Sequence, residues 1–99
     1  MATKTVYIAG KITGDKDYRA KFCLADARLR VEGYKVLNPA LLPDGLERRQ
    51  YMDICFAMIR QSDTVYFLKD WKESEGAKIE HALAEYEERE IIYEEDERK

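Results

Sequence analysis

No apolar run in the 99 residues approaches the roughly 20 that a bilayer-crossing helix needs, so no membrane partner is expected. Cysteine is scarce: Cys23 and Cys55 stand 32 positions apart with no CxxC spacing, which argues against a metal knuckle or a dithiol redox site. A reduced pair of core cysteines is the expectation, with no metal. A basic stripe is also missing. The net charge is −3 and the acidic excess gathers in "EYEEREIIYEEDERK", which disfavours a long nucleic acid as partner but leaves room for a small anionic ligand. The opening "MATKTVYIAG" lacks the charged start, apolar stretch and cleavage site of a secretory leader, so a cytoplasmic location is expected. Internal repeats and low-complexity linkers are absent.

What is present is a balance of 45% hydrophobic and 37% charged residues, the composition of a globular chain. Its length suits one domain, expected over residues 1–93, with the acidic tail 94–99 frayed. "KTVYIA" reads as a strand and "GKITGD" as a loop. A helix follows from about Asp17 to Glu32, with Phe22, Ala25, Leu29 and Cys23 on its apolar face. Gly33 stops it, "YKVL" is a short strand, and Asn38-Pro39 ends that strand. Beyond the turn-rich "ALLPDGL", a second helix from Glu47 to Gln61 carries Tyr51, Ile54, Cys55, Met58 and Ile59 on one face. "DTVYFL" is a strand apolar on both faces, a third helix spans about 75–88, and "EIIY" is a last strand. The order βαβαβαβ predicts a small Rossmann-like or flavodoxin-like three-layer α/β fold with a parallel sheet of about four strands. Ligands of such sheets bind beyond the carboxyl ends of the strands.

Near that edge lie the residues that could carry chemistry. Gly10, Lys11, Ile12, Thr13 and Gly14 form either a plain turn or a loop whose N–H groups approach a phosphate. In the third helix, Ile79, Ala82, Leu83 and Tyr86 read as the buried stripe, with Glu80 at its border beside Gly76, Ala77 and Ala84. A carboxylate with space around it is either a surface ion-pair partner or a group able to attack an electrophilic carbon. Asp53 is the better of two candidate acids, Asp63 falling at the opposite sheet edge. Tyr7 could reach a pocket carboxylate from the first strand, and Trp71 could stack on a base or cap the sheet. His81, about 100° around the helix from Glu80, reads as a surface histidine.

Three segments in order, "VYIAGKITG", "YMDICFAMIRQSDTVYFL" and "SEGAKIEHALA", resemble the nucleoside 2-deoxyribosyltransferase-like proteins, in particular a small phage and bacterial branch, over nearly the whole chain. The resemblance implies a glutamate nucleophile that forms a covalent glycosyl intermediate on a deoxyribonucleoside or nucleotide, later resolved by water or a second base. Carried over residue by residue, it makes Glu80 the nucleophile, Asp53 the group that contacts the sugar or assists the leaving base, and Tyr7 the tyrosine that orients Glu80. "GKITG" and Ser74 resemble the 5′-phosphate contacts of deoxynucleoside 5′-monophosphate N-glycosidases, with Gly76, Asn38 and Trp71 counted among the binding residues. Lys11 stands where many relatives have proline, and Ser74-Glu75 where transferases often carry an aspartate pair; both departures lean toward phosphate-bearing substrates. The resemblance implies a homodimer or higher homo-oligomer and no cofactor. Two other functions stay open: a non-catalytic nucleotide-binding domain, and cleavage of the N-ribosyl bond of a dinucleotide or cyclic signalling nucleotide.

Overall fold

A computed structural model of the protein describes residues 3–97; Met1, Ala2, Arg98 and Lys99 lie outside the described residues. Four strands, β1 (Thr5–Ala9), β2 (Lys35–Leu37), β3 (Thr64–Phe67) and β4 (Glu90–Tyr93), alternate with three helices, α1 (Tyr18–Val31), α2 (Arg48–Arg60) and α3 (Glu75–Tyr86). The sheet order is β2-β1-β3-β4 and every pair is parallel. This is the three-layer α/β architecture that the alternation of patterns predicts.

Each strand residue of β3 is buried, because helices cover both faces of the sheet. Val6, Ile8, Tyr66 and Leu68 pack with Phe22, Ala25 and Leu29 of α1 on one face. Tyr7, Ala9, Val65 and Phe67 pack with Cys55 and Ile59 of α2 and with Ala77 and Ala84 of α3 on the other. Full burial of side chains such as Phe22, Phe67 and Ile59 contributes about 2–3 kcal/mol each relative to exposure.

Local signals set the helix ends. Gly33, at φ +99°, ends α1 in the left-handed region that glycine enters without a Cβ penalty. The α2 start is a capping box: the Glu47 side chain accepts from the first turn and its own N–H donates to Gln50 Oε1 at 2.9 Å. Ser74 caps α3 by accepting from the Ala77 N–H at 3.1 Å.

The chain winds from β1 to β2 on one side and then crosses to β3 and β4 on the other. The carboxyl ends of β1 and β3 therefore form the switch point of the sheet, where a crevice opens. The two strand ends approach closely there. Leu68 N–H donates to the Ala9 carbonyl at 2.8 Å, and a Cβ on Gly10 would lie 2.7 Å from Leu68 Cδ1, so a larger residue here would have to displace the buried Leu68 side chain.

Several expectations are corrected. Cys23 is exposed, not core; only Cys55 is buried. Ile54 sits at the exposed edge of the α2 face. Of the expected α3 stripe only Leu83 packs against the core, half-buried; Ile79 is 44% and Tyr86 83% exposed and Ala82 is also exposed, while the buried residues of the helix are Ala77, Glu80 and Ala84. Small side chains let the helix backbone come close to the sheet, which turns Glu80 inward. Within the expected tail, Glu94–Glu97 form a short helix, α4, and Glu94 Oε1 accepts from the Lys69 N–H at 2.8 Å. Among the described residues no helix is long and apolar enough to cross a membrane.

Candidate active site

In a βαβ unit the helix that follows a strand starts at the strand's carboxyl edge, so the β1–α1 loop and the starts of α2 and α3 converge on the switch point. Between them lies a cleft of about 670 Å³, inside the size range of small-ligand sites. One wall is Gly10, Ile12 and Thr13; the facing wall is Leu46, Arg48, Tyr51 and Met52. Ser74, Glu75, Gly76 and Ala77 close one end, while Phe22 and Pro39 add apolar surface.

Glu80 and Tyr7 also line this cleft, at its buried side. Glu80 is 5% exposed, and Tyr7, on a central strand, donates its hydroxyl to Glu80 Oε2 at 2.8 Å. Burial pushes the Glu80 carboxyl up to about 7, against the hydrogen bonds from Tyr7 and Cys55, which favour the charged form. The carboxyl thus changes charge near neutral pH. Burial, with the Glu80 charge second, raises the Tyr7 phenol far above its ordinary value, so it acts as a neutral donor. The Cys55 thiol beside them is pushed up to about 12, first by burial and then by Glu80, and is therefore no nucleophile at physiological pH.

The structure gathers most of the expected residues but not all. Tyr7, Glu80, Gly10, Ile12, Thr13, Ser74 and Gly76 line one cleft. Lys11 and Gly14 instead face a shallow depression on the other side of the loop, with Asp15 and Asp70. There the Lys11 N–H donates to Asp70 Oδ1 at 3.1 Å and its Nζ lies 3.8 Å from Glu73, while Lys21 bridges Asp15 and Asp70. These contacts fasten the loop.

Asn38 is buried away from the cleft, accepting from Ala40 N–H at 2.9 Å and donating to Asp26 at 3.0 Å. Its role is to cap the turn Pro39–Leu41. Trp71 is stacked on His81 with ring centroids 4.3 Å apart, within a cluster that includes Phe67 and Tyr93, and does not line the cleft. His81 accordingly is not a surface residue: its ring is largely covered and Nε2 lies 2.7 Å from the Tyr93 hydroxyl. Asp53 is exposed on α2 and does not reach the cleft, because it stands about 200° around the helix from Tyr51.

Arg48, Tyr51 and Met52 are cleft residues that the sequence reading did not single out as such. The signal was available in the topology, since α2 must begin at the carboxyl edge. Among the described residues Arg48 makes no ion pair, so the cleft lining holds one unpaired guanidinium together with the N-terminal turn of α3, and Glu73 and Glu75 line the same cleft. The guanidinium and the helix N–H groups are the lining groups suited to an anionic ligand group. No group of three or more His, Cys, Asp or Glu among the described residues is placed to hold a metal ion.

Gly76 has no steric reason to be glycine. A Cβ there would meet Met52 Sδ at 3.7 Å and Ser74 Oγ at 3.8 Å, ordinary contacts with two cleft residues. Gly76→Ala is therefore expected to leave the melting temperature unchanged or raise it, since alanine is the better helix former by up to about 1 kcal/mol. The added methyl group occupies ligand space, and ligand affinity is expected to fall on the order of tenfold to a hundredfold. Paired thermal denaturation and titration check this; a lower melting temperature would show that the glycine serves the fold instead.

The model of a family described as a domain of unknown function, DUF4406, matches residues 4–93, which include every cleft residue named above. No curated protein matches the chain.

Proposed function

The chain belongs to the DUF4406 family, and we propose that it cleaves the N-glycosidic bond of a nucleotide or nucleoside with Glu80 as nucleophile. One observation carries this reading: a carboxylate buried at the inner side of a ligand-sized cleft, oriented through one oxygen by the Tyr7 hydroxyl at 2.8 Å. Glu80 forms a bond to the anomeric carbon as the bond to the base breaks, and the base departs with the electron pair and takes a proton from solvent. Water then attacks the same carbon, loses a proton to solvent, displaces the carboxylate and gives the free sugar; a second base in place of water, losing its N–H proton in the same way, gives transfer. Two inversions make net retention. Arg48, the cleft side of the β1–α1 loop at Gly10, Ile12 and Thr13, and the Ser74–Gly76 turn are the groups that would hold a phosphate on the substrate. The resemblance to nucleoside 2-deoxyribosyltransferase-like proteins points the same way, and a cytoplasmic location belongs to the same proposal.

The experiment is a panel of ribo- and deoxyribonucleotides, nucleosides and dinucleotides assayed for free base. Release from one class identifies the substrate. Thermal stabilisation by nucleotides with no release from any of them would mark a binding domain without turnover. Assembly into a homodimer belongs to the same reading. Exposed Ile79 and Tyr86, seven residues apart on α3, leave an apolar strip for a second copy, and sedimentation at micromolar concentration tests it.

A further inference from the structure

The Tyr51 hydroxyl oxygen is buried in the cleft wall and has no hydrogen-bond partner among the described residues. Native proteins rarely leave a buried hydroxyl unsatisfied, because it has given up water and received nothing in return. Phenylalanine would fill the same wall without that penalty, so packing alone does not account for tyrosine. The Cys55 thiol lies close enough to act on the phenol, but it is a weak hydrogen-bonding group, and the oxygen has no partner at hydrogen-bond geometry.

The position of the oxygen narrows what it could meet. Tyr51 and Cys55 are one turn apart on the same face of α2, Tyr51 packs against the cluster that holds Cys55 and Tyr7, and the Tyr7 hydroxyl meets Glu80, which lines the same cleft as Tyr51. The orphaned oxygen is thus at the Glu80 end of the cleft, beside the reacting carbon in the mechanism proposed above. A sugar ring carries hydroxyl groups there, each able both to donate and to accept. Burial, then Cys55 and Glu80, raises the Tyr51 phenol far above its ordinary value, so it is neutral at every working pH and matches a neutral hydroxyl better than it does a phosphate.

We propose that Tyr51 is the residue that reads a sugar hydroxyl of the substrate, through a hydrogen bond to its Oη at the Glu80 end of the cleft. The proposal rests on the reading of the cleft as a nucleotide or nucleoside site. Glu80 performs the chemistry and Tyr51 decides which sugar is accepted, because a site built around a hydroxyl strongly rejects the analogue that lacks it.

The test compares wild type with Tyr51→Phe on one base carried by ribose, 2′-deoxyribose and 3′-deoxyribose, measuring kcat/KM for base release and ligand-induced shifts in melting temperature. In wild type, loss of the hydroxyl that Tyr51 reads is expected to cost about a hundredfold or more, and in Tyr51→Phe less than about threefold. Loss of the other hydroxyl should cost both proteins alike. Without ligand, Tyr51→Phe should melt no lower than wild type. Equal costs in the two proteins for both hydroxyls, or a ligand-free variant that melts several degrees lower, would overturn the assignment. If wild type releases no base, the Glu80 mechanism fails, yet the thermal shifts still report whether Tyr51 distinguishes the sugars.

Discussion

Glu80→Gln is expected to abolish base release, by at least about a thousandfold in kcat, while making the protein more stable above neutral pH. The two effects share one cause. The amide has no anionic oxygen with which to attack the anomeric carbon, but it keeps the shape of the side chain and an oxygen for the Tyr7 hydroxyl. The folded-state carboxyl titrates at about 7, against about 4.5 for an unperturbed glutamate. Below about pH 4.5 both folded and unfolded chains hold the proton, and the stability associated with the neutral buried group is fully present. As the pH rises from about 4.5 through 7, the unfolded chain ionises first and the native state must then accept a buried charge, so that stability is lost, about 3 kcal/mol in all. Glutamine does not titrate. Wild type and Glu80→Gln should therefore melt close together near pH 4, while at pH 8 the variant should melt about 10 °C higher or more. Thermal denaturation across this range, run beside the base-release assay, checks both halves. A variant that still turns over would remove Glu80 as nucleophile, and one less stable at pH 8 would contradict the cost of the buried charge.

The alternation of strand and helix patterns made the architecture legible, because a strand apolar on both faces, such as "TVYF", has few alternatives to the centre of a parallel sheet. Glu80 was also legible, through the small residues around it, although for an incomplete reason. Hydrophobic periodicity puts Ile79, Ala82, Leu83 and Tyr86 inside and Glu80 at the border; the fold keeps only Leu83 against the core and buries Glu80. Periodicity assumes that the most apolar stripe faces the core. Where a helix must approach a sheet closely, the size of Ala77 and Ala84 matters more, and the hydrogen bond from Tyr7 offsets part of the desolvation of the carboxylate.

The same limit hid Tyr51. Its spacing with Cys55, Met58 and Ile59 marks a face that packs inward, but a pattern cannot tell where along that face the core ends and a cleft begins. Asp53 shows the converse: two positions along the helix reverse the direction in which a side chain points, so membership of a motif does not place a carboxylate in a site. Loop residues divide in the same manner, Ile12 and Thr13 toward the cleft and Lys11 away from it.

Tyr7→Phe should have the second large effect, and its direction with pH distinguishes a nucleophile from an acid. A nucleophilic Glu80 must be ionised, so wild-type kcat/KM should rise with pH to a midpoint of about 7. The Tyr7 hydroxyl lowers that midpoint, because it bonds the charged carboxylate better than the neutral acid. Phenylalanine removes the donor and leaves burial less opposed, so the midpoint should move upward and activity at pH 7 should fall on the order of tenfold to a hundredfold. Part of the loss should return at pH 9, which a merely misfolded variant would not display. Stability should follow the same charge: deletion of the donor is expected to cost about 0.5–1.5 kcal/mol at pH 5, where Glu80 is neutral, and about 1.5–3 kcal/mol at pH 8, where it is charged. If activity instead falls as the pH rises through 7, the protonated form of Glu80 is the working one. The carboxyl would then donate a proton to the departing base, and the covalent intermediate would have to be abandoned.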